Sequence, residues 1–596
     1  MPEYLAPGVY VEETSFRAKS IQGVGTSTTA FVGPTRKGPL GMVSDVITSF
    51  GEFERIYGGL ANLRIGTTDT PNYMAHAAKA FFDNGSGRLY VARTFTARQI
   101  TTPSTRTIEA NSASANVVDS GDATVASFRA RSPGSGLNGF VLAYQKLTPA
   151  TATTLNAAPT GSMVQSGGSN YFVKAADGVW NVEAPIGDGT DALDLGAVPA
   201  DARLVTVNLE IRPGAGSADD DAEGGPIVIE GLGLGPGHPR RLADALPRNP
   251  TSRGAALAQP YWFDDDPDPT AHALRAALFG DDDEVRVPYQ LTGGVDGDAS
   301  VTSDADPQNL SYEEALALVE EVSDVAIVAA PGSSANSGAA AGTRLALISH
   351  AERMRYRIAV LDTQAGASVG DARDVRAAID SKYAALYYPW VVVPNPSARP
   401  SDDTIPKELV LPPSGFICGI YARNDIQRGV WKAPANEVVR GALRFERELS
   451  KGEQEVLNPE GINCLRSFFG RGNRVWGART ISSDPEWIYV NVRRYFNYVE
   501  NSIDRSTQWA VFEPNGPALW SNITDTISSF LFAEWRSGAL LGATPEEAYF
   551  VRCDRSTMTQ ADLDNGRLIC EIGIAAIKPA EFVIFRIGQK TADATS

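Results

Sequence analysis

Alternating apolar and polar side chains predict a short β-strand at the very start of the chain. In the segment PGVYVEE, Val9 and Val11 fall on one side of an extended backbone and Tyr10 on the other, and the Pro-Gly pair disfavours a helical start. Residues 15–23 are polar and irregular, so we expect them to connect this strand to the rest of the chain as a flexible arm. A lone strand leaves backbone donors and acceptors open, and folded chains normally pair such groups. We therefore expect the arm to pair with another segment.

Residues 24–98 have the pattern of a small α/β unit. TSTTAFVG, from Thr26, and RLYVART, from Arg88, predict two strands. Between them, PNYMAHAAKAFFDNG predicts a helix that ends at Asn84 and Gly85.

The α/β pattern returns at Ser311. Ser311 lies three positions before Glu314, and this capping-box spacing predicts a helix start in SYEEALALVEEV. Further helices are predicted in GTRLALISHAERMR and DARDVRAAIDS, and they alternate with the apolar runs DVAIVAAPG, RIAVLDT and YAALYYPWVVV. Unbroken apolar strands between helices indicate a parallel sheet that is covered on both faces.

The region between these two α/β segments has a different composition. Residues 99–299 are rich in Thr, Ser, Ala, Gly and Asp, and they contain the strand-like pieces FVLAYQKL, NYFVKA, VWNVEA and LVTVNLEI. We interpret this region as one or two β-rich domains inserted into the α/β fold.

The last quarter predicts two long helices followed by two strands. The first helix opens at Asp484-Pro485, and its core stripe is Ile488, Val492, Tyr495, Phe496, Val499 and Ile503. The second, LWSNITDTISSFLFAEWRSGAL, has a stripe of Ile523, Ile527, Phe530 and Leu531. The strands are RLICEIGIAAI and EFVIFRIGQ, so both ends of the chain carry a strand that could serve as a pairing edge.

Length and charge narrow the class of protein. A chain of 596 residues should hold about four domains, and its 43% hydrophobic and 21% charged residues are ordinary for a folded chain. The formal net charge of −18 argues against nucleic-acid and anionic-membrane partners, which are bound through Lys and Arg. Acidic runs at 218–223, 263–269 and 280–284 are interpreted as solvated loops, because none has the alternating ligand spacing of a calcium site.

Cysteine usage and the N-terminal sequence favour a chain made in the cytosol. The four cysteines lie far apart in sequence and form no CxxC or Cys/His cluster, which indicates reduced thiols and neither a disulfide framework nor a zinc site: Cys418, Cys464, Cys553 and Cys570. The start lacks the pattern of a signal peptide, and no apolar run reaches the roughly 18 residues of a membrane span. We therefore expect neither general secretion nor membrane insertion.

Motifs for catalysis or cofactor binding are not convincing. GLGLGPGH runs into His-Pro and not into a helix, and no GxxxxGK[ST] loop occurs. GTSTTA is similar to the nucleophile segment of subtilisin-like proteases, but it leads into a strand and precedes every candidate partner. His76 and His350 lie within helical segments without a neighbouring acidic motif, and His238 and His272 lie in the acidic inserts, so a catalytic triad is not indicated. Trp431, Trp476 and Trp487 are better explained by packing. We expect no enzyme activity, no cofactor and no metal site.

A set of strings found in one order resembles a known family. The chain resembles the contractile tail sheath proteins of bacteriophages and phage-tail-like injection machines through YLAPGVYVEE, GVGTSTTAFVGPTRKGP, SPGSGLNG, LTGGVDG, VWKAPANEVVRGA, VLNPEGINCLR, VWGARTISSDPEWIYVNVRRYFNYVENSI, FEPNGPALWSNI and KPAEFVIFRIGQ. The resemblance covers the first hundred residues and nearly everything from Leu291 onward. It departs from the family pattern at Gly136, where we expect Trp.

The resemblance implies a multidomain α/β and α+β fold. The implied domains are an extended N-terminal arm (1–20), an α/β core that is subtilisin-like in the family (21–98 with 300–480), outward-facing β-rich inserts (99–299) and a C-terminal α+β assembly domain with a terminal strand (481–596). Strands from neighbouring subunits would complete the sheet of that last domain.

The resemblance also implies where subunits meet. The terminal arms would insert as strands into neighbouring subunits, which makes the implied interface residues Tyr4, Val9, Tyr10, Val11, Glu12, Phe582, Val583, Ile584, Phe585, Arg586 and Ile587. Arg466, Arg471 and Arg474, in the basic stretch 466–479, are the candidate contacts with an inner tube.

The implied function is mechanical. Subunits would form stacked six-fold rings around an inner tube and, with baseplate and terminal cap proteins, build a metastable sheath in the bacterial cytoplasm. Its contraction would drive the tube through a target envelope. The sequence leaves open whether the particle is a phage, a tailocin or a cellular or released injection system; type VI secretion sheaths are related but generally split between two chains.

Two other classes remain as alternatives. A hydrolase on the α/β core would need a clustered catalytic constellation. A surface-layer or adhesive β-protein would use the Asp runs to bind calcium and would need an export signal.

Overall fold

The structure is a computed structural model that describes residues 20–98, 100–101, 104–105, 107–167, 170–183, 192–222, 224–280, 286–306, 308–335 and 337–586. The chain divides into two compact units. What we call the terminal unit falls within Met1–Thr26, Asn424–Pro434 and Asp484–Ser596, and what we call the sheet unit within Ser27–Arg423 and Ala435–Ser483. Strands β1–β26 and helices α1–α15 are numbered in chain order.

A seven-stranded sheet forms the centre of the sheet unit. Six strands are parallel and the first edge strand is antiparallel, in the spatial order β24 (Gly472–Val475), β23 (Ile462–Phe468), β19 (Ala384–Tyr388), β18 (Ile358–Asp362), β17 (Ile327–Ala329), β1 (Thr29–Gly33) and β4 (Leu89–Arg93). Strands β1, β17, β18 and β19 are buried throughout, as expected for parallel strands covered on both faces. The predicted parallel sheet is therefore confirmed.

Helices of the α/β region include several whose first turn is capped by a side chain. They are α1 (Phe50–Tyr57), α2 (Tyr73–Asp83), α7 (Tyr312–Glu320), α8 (Ser337–Met354), α9 (Val369–Ala377), α10 (Ser414–Arg428) and α11 (Lys451–Leu457). The predicted capping box of Ser311 and Glu314 is present, and Asn84 is the C-cap of α2 as predicted. Ser368 and Ser450 make equivalent boxes at α9 and α11.

One predicted strand of this region is wrong in its extent. The apolar run YAALYYPWVVV splits at Pro389, because proline has no amide hydrogen to donate to a ladder. The part before it is β19. The part after it is β20, which belongs to a separate antiparallel sheet with the order β21 (Glu408–Leu411), β20 (Val391–Pro394) and β22 (Arg444–Phe445).

Most strands between residues 100 and 291 lie in antiparallel sheets of their own. The largest has the order β12 (Trp180–Val182), β11 (Asn170–Lys174), β10 (Met163–Ser166), β13 (Arg203–Pro213), β9 (Gly139–Pro149) and β16 (Arg286–Leu291), with β14 (Ile227–Leu232) also on β13. A second contains β15 (Tyr261–Asp264), β8 (Thr124–Pro133) and β7 (Ser112–Val118). All four strand-like pieces predicted from sequence in this region lie on strands, so its β-rich character is confirmed.

Short elements complete the sheet unit. Two strand pairs are β2 (Leu63–Ile65) with β3 (Thr68–Thr70), and β5 (Ile100–Thr101) with β6 (Ser104–Thr105). The remaining helices are α3 (Ala152–Ala157), α4 (Leu242–Ala245), α5 (Arg253–Ala258) and α6 (Ala271–Phe279).

The terminal unit is an α+β structure built on two long helices. Its elements are α12 (Val490–Thr507), α13 (Pro517–Arg536), α14 (Pro545–Ala548), β25 (Tyr549–Arg552), α15 (Gln560–Asp564) and β26 (Glu571–Ile574). Tyr495 and Val499 of α12 pack with Ile523, Ile527 and Phe530 of α13 in one core. These residues belong to the predicted stripes, which are confirmed at these positions, whereas Ile488 of the first stripe lies before the start of α12.

The predicted start of α12 is wrong by one and a half turns. The Asp484 carboxylate accepts a hydrogen bond from the Glu486 amide at 2.9 Å and closes a local turn. Such a side-chain bond offers the backbone an alternative to helix. The helix consequently begins at Val490.

Candidate assembly site at the chain termini

Residues 20–26, which follow the predicted N-terminal arm in sequence, are held on α12. The Val24 amide donates to the buried Ser502 hydroxyl at 3.1 Å, and Ile21 packs against the core of the unit. Gly23 lies directly on the Tyr498 ring, since a Cβ at this position would be 2.3 Å from the Tyr498 hydroxyl. The segment 20–26 is thus held along one face of the helix.

A buried ion pair completes this base. The Arg494 guanidinium donates to both carboxylate oxygens of Asp425, at 2.9 and 2.5 Å, and the two side chains are only 3% and 4% exposed. Thr26 joins the pair twice, because its hydroxyl donates to Asp425 at 2.6 Å and its carbonyl accepts from Arg494 at 3.0 Å. A bidentate pair with its remaining donors satisfied has the geometry that a buried charge requires.

The Tyr498 side chain under Gly23 is itself held in place. Its hydroxyl donates to the Glu534 carboxylate at 2.9 Å, and the Tyr495 hydroxyl donates to the same carboxylate at 3.3 Å. Burial raises the pKa of Glu534 above its usual value. This contact joins α12 to α13 directly beneath the N-terminal segment.

The C-terminal segment starts from the same helix. The Asn491 amide donates to the carbonyl of Ile577 at 3.0 Å and to that of Trp431 at 2.8 Å. The Tyr489 hydroxyl donates to the Glu581 carboxylate at 3.2 Å. The segments that lead to both chain ends are therefore anchored on α12. Neither anchor follows from periodicity, although two arginines inside an apolar stripe, Arg493 and Arg494, are a sequence signal for a buried polar contact.

The sheet of the terminal unit has two strands in the described chain. β25 and β26 pair antiparallel, and one face packs on the core through Tyr549, Val551, Ile572 and Ile574. On the other face Phe550 lies over the glycine opposite it in the ladder. A two-stranded sheet has an outer edge on each side, and no further strand covers either edge within the residues described.

The predicted final strand is not paired in the described part of the chain. Residues 582–586 carry no strand assignment. Four consecutive large apolar side chains are exposed there, namely Phe582 (73%), Val583 (68%), Ile584 (79%) and Phe585 (82%). Single exposed apolar residues are ordinary, but a contiguous group marks an interaction surface. The predicted interface residues Tyr4, Val9, Tyr10, Val11, Glu12 and Ile587 lie outside the described residues.

The three arginines predicted as tube contacts have different surroundings. Arg466 is half-buried and donates to the Leu449 carbonyl and the Gln454 side chain, at 3.0 and 2.8 Å. Arg474 donates to the Asn436 carbonyl at 2.6 Å. Arg471 is exposed in the β23–β24 turn, although it also donates to the Asn436 side chain at 2.8 Å. Of the three, Arg471 is the most accessible, and its role stays a prediction.

A buried carboxyl group at the C-terminal end of β18 has a structural role. Asp362, at the end of β18, accepts from the amide and hydroxyl of Ser414 at 2.8 and 2.6 Å, and so caps the first turn of α10. Burial raises the Asp362 pKa to about 7. The Asp362 side chain therefore caps a helix N-terminus.

Two of the candidate histidines have environments unsuited to a general base. His76 is buried in α2, and burial lowers its pKa to about 4. Arg357 donates to Nε2 of the buried His350, whose pKa is lowered to about 3 by burial and by the neighbouring cation. Both imidazoles stay neutral at ordinary pH and have structural contacts.

The acidic runs are partly paired with arginines. Arg286 contacts Asp219 at 2.8 Å, and Arg241 contacts Asp265 at 2.6 Å and also Asp268. Within the described ranges no group of three or more His, Cys, Asp or Glu side chains could hold a metal ion. Among the helices described here, none is both long and apolar enough to span a bilayer.

Family models match the second half of the chain. A model described as the phage tail sheath protein central domain matches residues 305–481, and one described as the phage tail sheath C-terminal domain matches residues 482–590.

Curated and solved relatives agree with these matches. A prophage major tail sheath protein of Pseudomonas aeruginosa is 26% identical over 182 residues, which cover 30% of this chain and 45% of that protein. The match thus spans less than half of that relative's length. A chain from the sheath complex of an extracellular contractile injection system in its contracted state is 32% identical, with 47% of this chain and 75% of that chain covered and a TM-score of 0.42. The contracted helical sheath of the anti-feeding prophage aligns over 98% of this chain and 99% of its own, with 21% identity and a TM-score of 0.52, which supports a shared fold.

Proposed function

Because the chain belongs to the family of contractile tail sheath proteins, we propose that it polymerises as stacked six-fold rings around an inner tube. Contraction of this sheath drives the tube through a target envelope. The polymer starts at a baseplate, ends at a cap protein and assembles in the bacterial cytoplasm as part of a phage tail or phage-tail-like particle.

Subunits are linked by exchanged strands. The arm that contains Val9 and Val11 adds to the β25–β26 sheet of one neighbour, and residues 582–587 add to that of another. The observation that supports this most directly is the exposed apolar segment Phe582–Phe585, which has no ladder partner among the described residues, in a unit whose described sheet has two strands. Adding a strand to the sheet edge pairs the open backbone groups of that edge and buries the exposed apolar side chains in the same contact.

The energies involved are sufficient for a stable link. A borrowed strand contributes about five ladder hydrogen bonds, each worth roughly 0.5–1.5 kcal/mol net. Burying each large apolar side chain adds roughly 1.5–3 kcal/mol. Ordering the arm costs part of this sum, since fixing a residue's backbone costs about 1–2 kcal/mol. With several such links on each subunit, neighbouring subunits stay connected while they rotate and separate.

The shared anchor on α12 gives the links a mechanical path. Tension on the N-terminal arm reaches α12 through Val24 and Thr26, and tension on the C-terminal segment reaches it through Ile577 and Glu581. A single rigid helix therefore connects the strand that a subunit donates at one end with the strand it donates at the other.

The rest of the chain has structural roles in this proposal. The α/β core, related to a subtilisin-like fold, forms the wall of the sheath without catalysis, cofactor or metal, because a fold does not bring its activity with it. The β-rich inserts face outward as an acidic, hydrated coat. Arg466, Arg471 and Arg474 face the inner tube.

Deleting residues 1–13 tests the proposal. The shortened protein should stay folded, because the base at 20–26 is retained, but it should form no contractile lattice. Electron microscopy of purified protein distinguishes stacked rings from dispersed subunits. The matched control replaces Val9 and Val11 by Thr, which keeps the strand propensity and the backbone ladder and should weaken assembly without abolishing it. Normal sheaths from the deletion variant would refute the role of the arm.

A further inference from the structure

Two of the four cysteines face each other across the β25–β26 hairpin. The last ladder pair is Arg552 with Glu571, so the next opposed positions are Cys553 and Cys570. Each thiol shifts the pKa of the other, as expected of neighbouring side chains. Sequence spacing alone had separated them, and the strand register brings them together.

The strand register brings the pair to a separation that a disulfide can span. Opposed residues of an antiparallel ladder have Cα atoms about 4.5–5.5 Å apart, and disulfides span about 4.4–6.8 Å. The connection between the strands is ordered: Thr559 caps α15 with a capping box, and the Thr557 hydroxyl donates to the Ile569 carbonyl at 2.8 Å. The hairpin therefore holds both sulfurs in register.

We propose that Cys553 and Cys570 form a reversible disulfide that staples β25 to β26 when the protein meets an oxidising environment. Both thiols are free in this structure, which is the reduced form. The proposal concerns a modification of the hairpin and holds whether or not the hairpin accepts strands from neighbours.

The oxidant is a low-molecular-weight disulfide such as oxidised glutathione. Cys570 is partly exposed and Cys553 is buried, so Cys570 is the first to react. Its thiolate attacks one sulfur of the oxidant and releases one glutathione thiolate. The Cys553 thiolate then attacks the Cys570 sulfur and releases the second. The two protons lost by the protein thiols pass to these leaving groups, and the protein loses two electrons, which the oxidant gains.

Burial keeps the reaction slow at neutral pH. It raises the pKa of Cys553 and raises that of Cys570 to about 12, so little thiolate is present near pH 7. The pair therefore stays reduced in a reducing cytoplasm during assembly and oxidises later, and the rate increases with pH.

The disulfide fixes one end of the β25–β26 hairpin. It closes the loop that contains α15, and closing a loop removes conformational freedom from the unfolded chain. The oxidised protein should unfold at a temperature several degrees higher than the reduced one.

Mass spectrometry on the full-length protein tests the proposal. The protein is incubated with oxidised glutathione at pH 8, free thiols are blocked with N-ethylmaleimide, and peptides are mapped without reduction. The expected result is a cross-linked peptide containing Cys553 and Cys570, with Cys418 and Cys464 recovered as blocked or protected thiols. The cross-link should disappear, and the thermal shift with it, after dithiothreitol.

A matched variant tests the order of the two steps. In Cys553→Ser the resolving thiol is absent, so glutathione should remain on Cys570 as a mixed disulfide. Two results overturn the proposal: full labelling of both cysteines by maleimide after a day in oxidised glutathione, or a wild-type protein that stops at the mixed disulfide.

Discussion

Asp362 shows how one buried carboxyl group couples the stability of the sheet unit to pH. It lies at the end of β18, is 6% exposed, and caps α10 through Ser414. Burial disfavours its charged form and raises its pKa from 3.8 to about 7, a shift that the bonds from Ser414 only partly offset. The folded protein therefore binds a proton at this site over a pH range in which the unfolded chain does not.

Replacing Asp362 by Asn should flatten the pH dependence of stability. Since the folded pKa is the higher one, the stabilisation is fully present below pH 3.8 and is lost as the pH rises through about 7. Within that window the free energy of unfolding of the wild type falls by about 1.4 kcal/mol per pH unit from this group. Thermal unfolding of isolated subunits between pH 4.5 and 8 measures the slope.

The control for this experiment is Asp371→Asn. Asp371 is exposed and its pKa is lowered by hydrogen bonds from Ser368, so its contribution to stability is already constant across the window. This variant should keep the wild-type slope. An Asp362→Asn protein whose slope equals that of the control would show that Asp362 is ionised in the folded state.

Contacts between side chains were the feature of the site that the sequence patterns predicted least well. Arg494 lies 69 positions from Asp425, and Cys553 meets Cys570 only because of the strand register. Contacts of this kind depend on how elements pack, and spacing along the chain does not encode it. The buried stripe around them was predictable, because helical periodicity is a property of the local sequence.

At the scale of elements, local sequence signals predicted helix boundaries correctly where no other signal competed with them. The capping box at Ser311 and the helix end at Asn84 were both correct. The errors occurred where a local side chain or a proline competed with the wider pattern, as at Asp484 and Pro389. The final strand, predicted from Phe582 onward, has a strong pattern but no ladder in the described chain, because a strand requires a second strand beside it.

Proline substitutions in residues 582–586 test whether this segment becomes a strand on assembly. Successive amides of a strand point to opposite sides, so only every second one donates to a given ladder. Val583→Pro and Ile584→Pro should therefore differ, with one raising the critical concentration for assembly at least tenfold more than the other. Sedimentation of polymer across a range of protein concentrations measures this difference.

Alanine at the same positions is the control for lost apolar contacts. Val583→Ala and Ile584→Ala keep both amides, so each should weaken assembly by an amount set by the buried side chain alone. Equal effects of the two prolines, or none, would exclude a ladder at this segment.

At the scale of the whole molecule, the proposed assembly site draws on more than one copy of the chain. The family relationship was predictable from ordered motifs along the chain, and the models that match 305–590 confirm it. Under the proposed strand exchange the partners of the terminal segments belong to other copies, so no pattern within one sequence predicts which segments pair. Even within one copy, the terminal unit is drawn from three separate stretches of sequence.

The net charge of the whole chain makes a prediction about assembly. Subunits with a formal charge of −18 repel one another, and the Debye length falls from about 30 Å at 0.01 M salt to about 10 Å at 0.1 M. If borrowed strands hold the sheath, added salt should screen the repulsion and lower the critical concentration for assembly, since backbone ladders and apolar burial depend little on screening.

Replacing Asp281, Asp282 and Asp283 by Asn removes three negative charges from one acidic run and provides the matched test. This variant should assemble at a lower critical concentration than the wild type at 0.01 M salt, and the two should converge at 0.3 M, where the charges are screened. Sedimentation of polymer at each salt concentration gives both values. A sheath held by complementary surface charges would behave in the opposite way, because salt would raise its critical concentration and the triple variant would gain nothing at low salt.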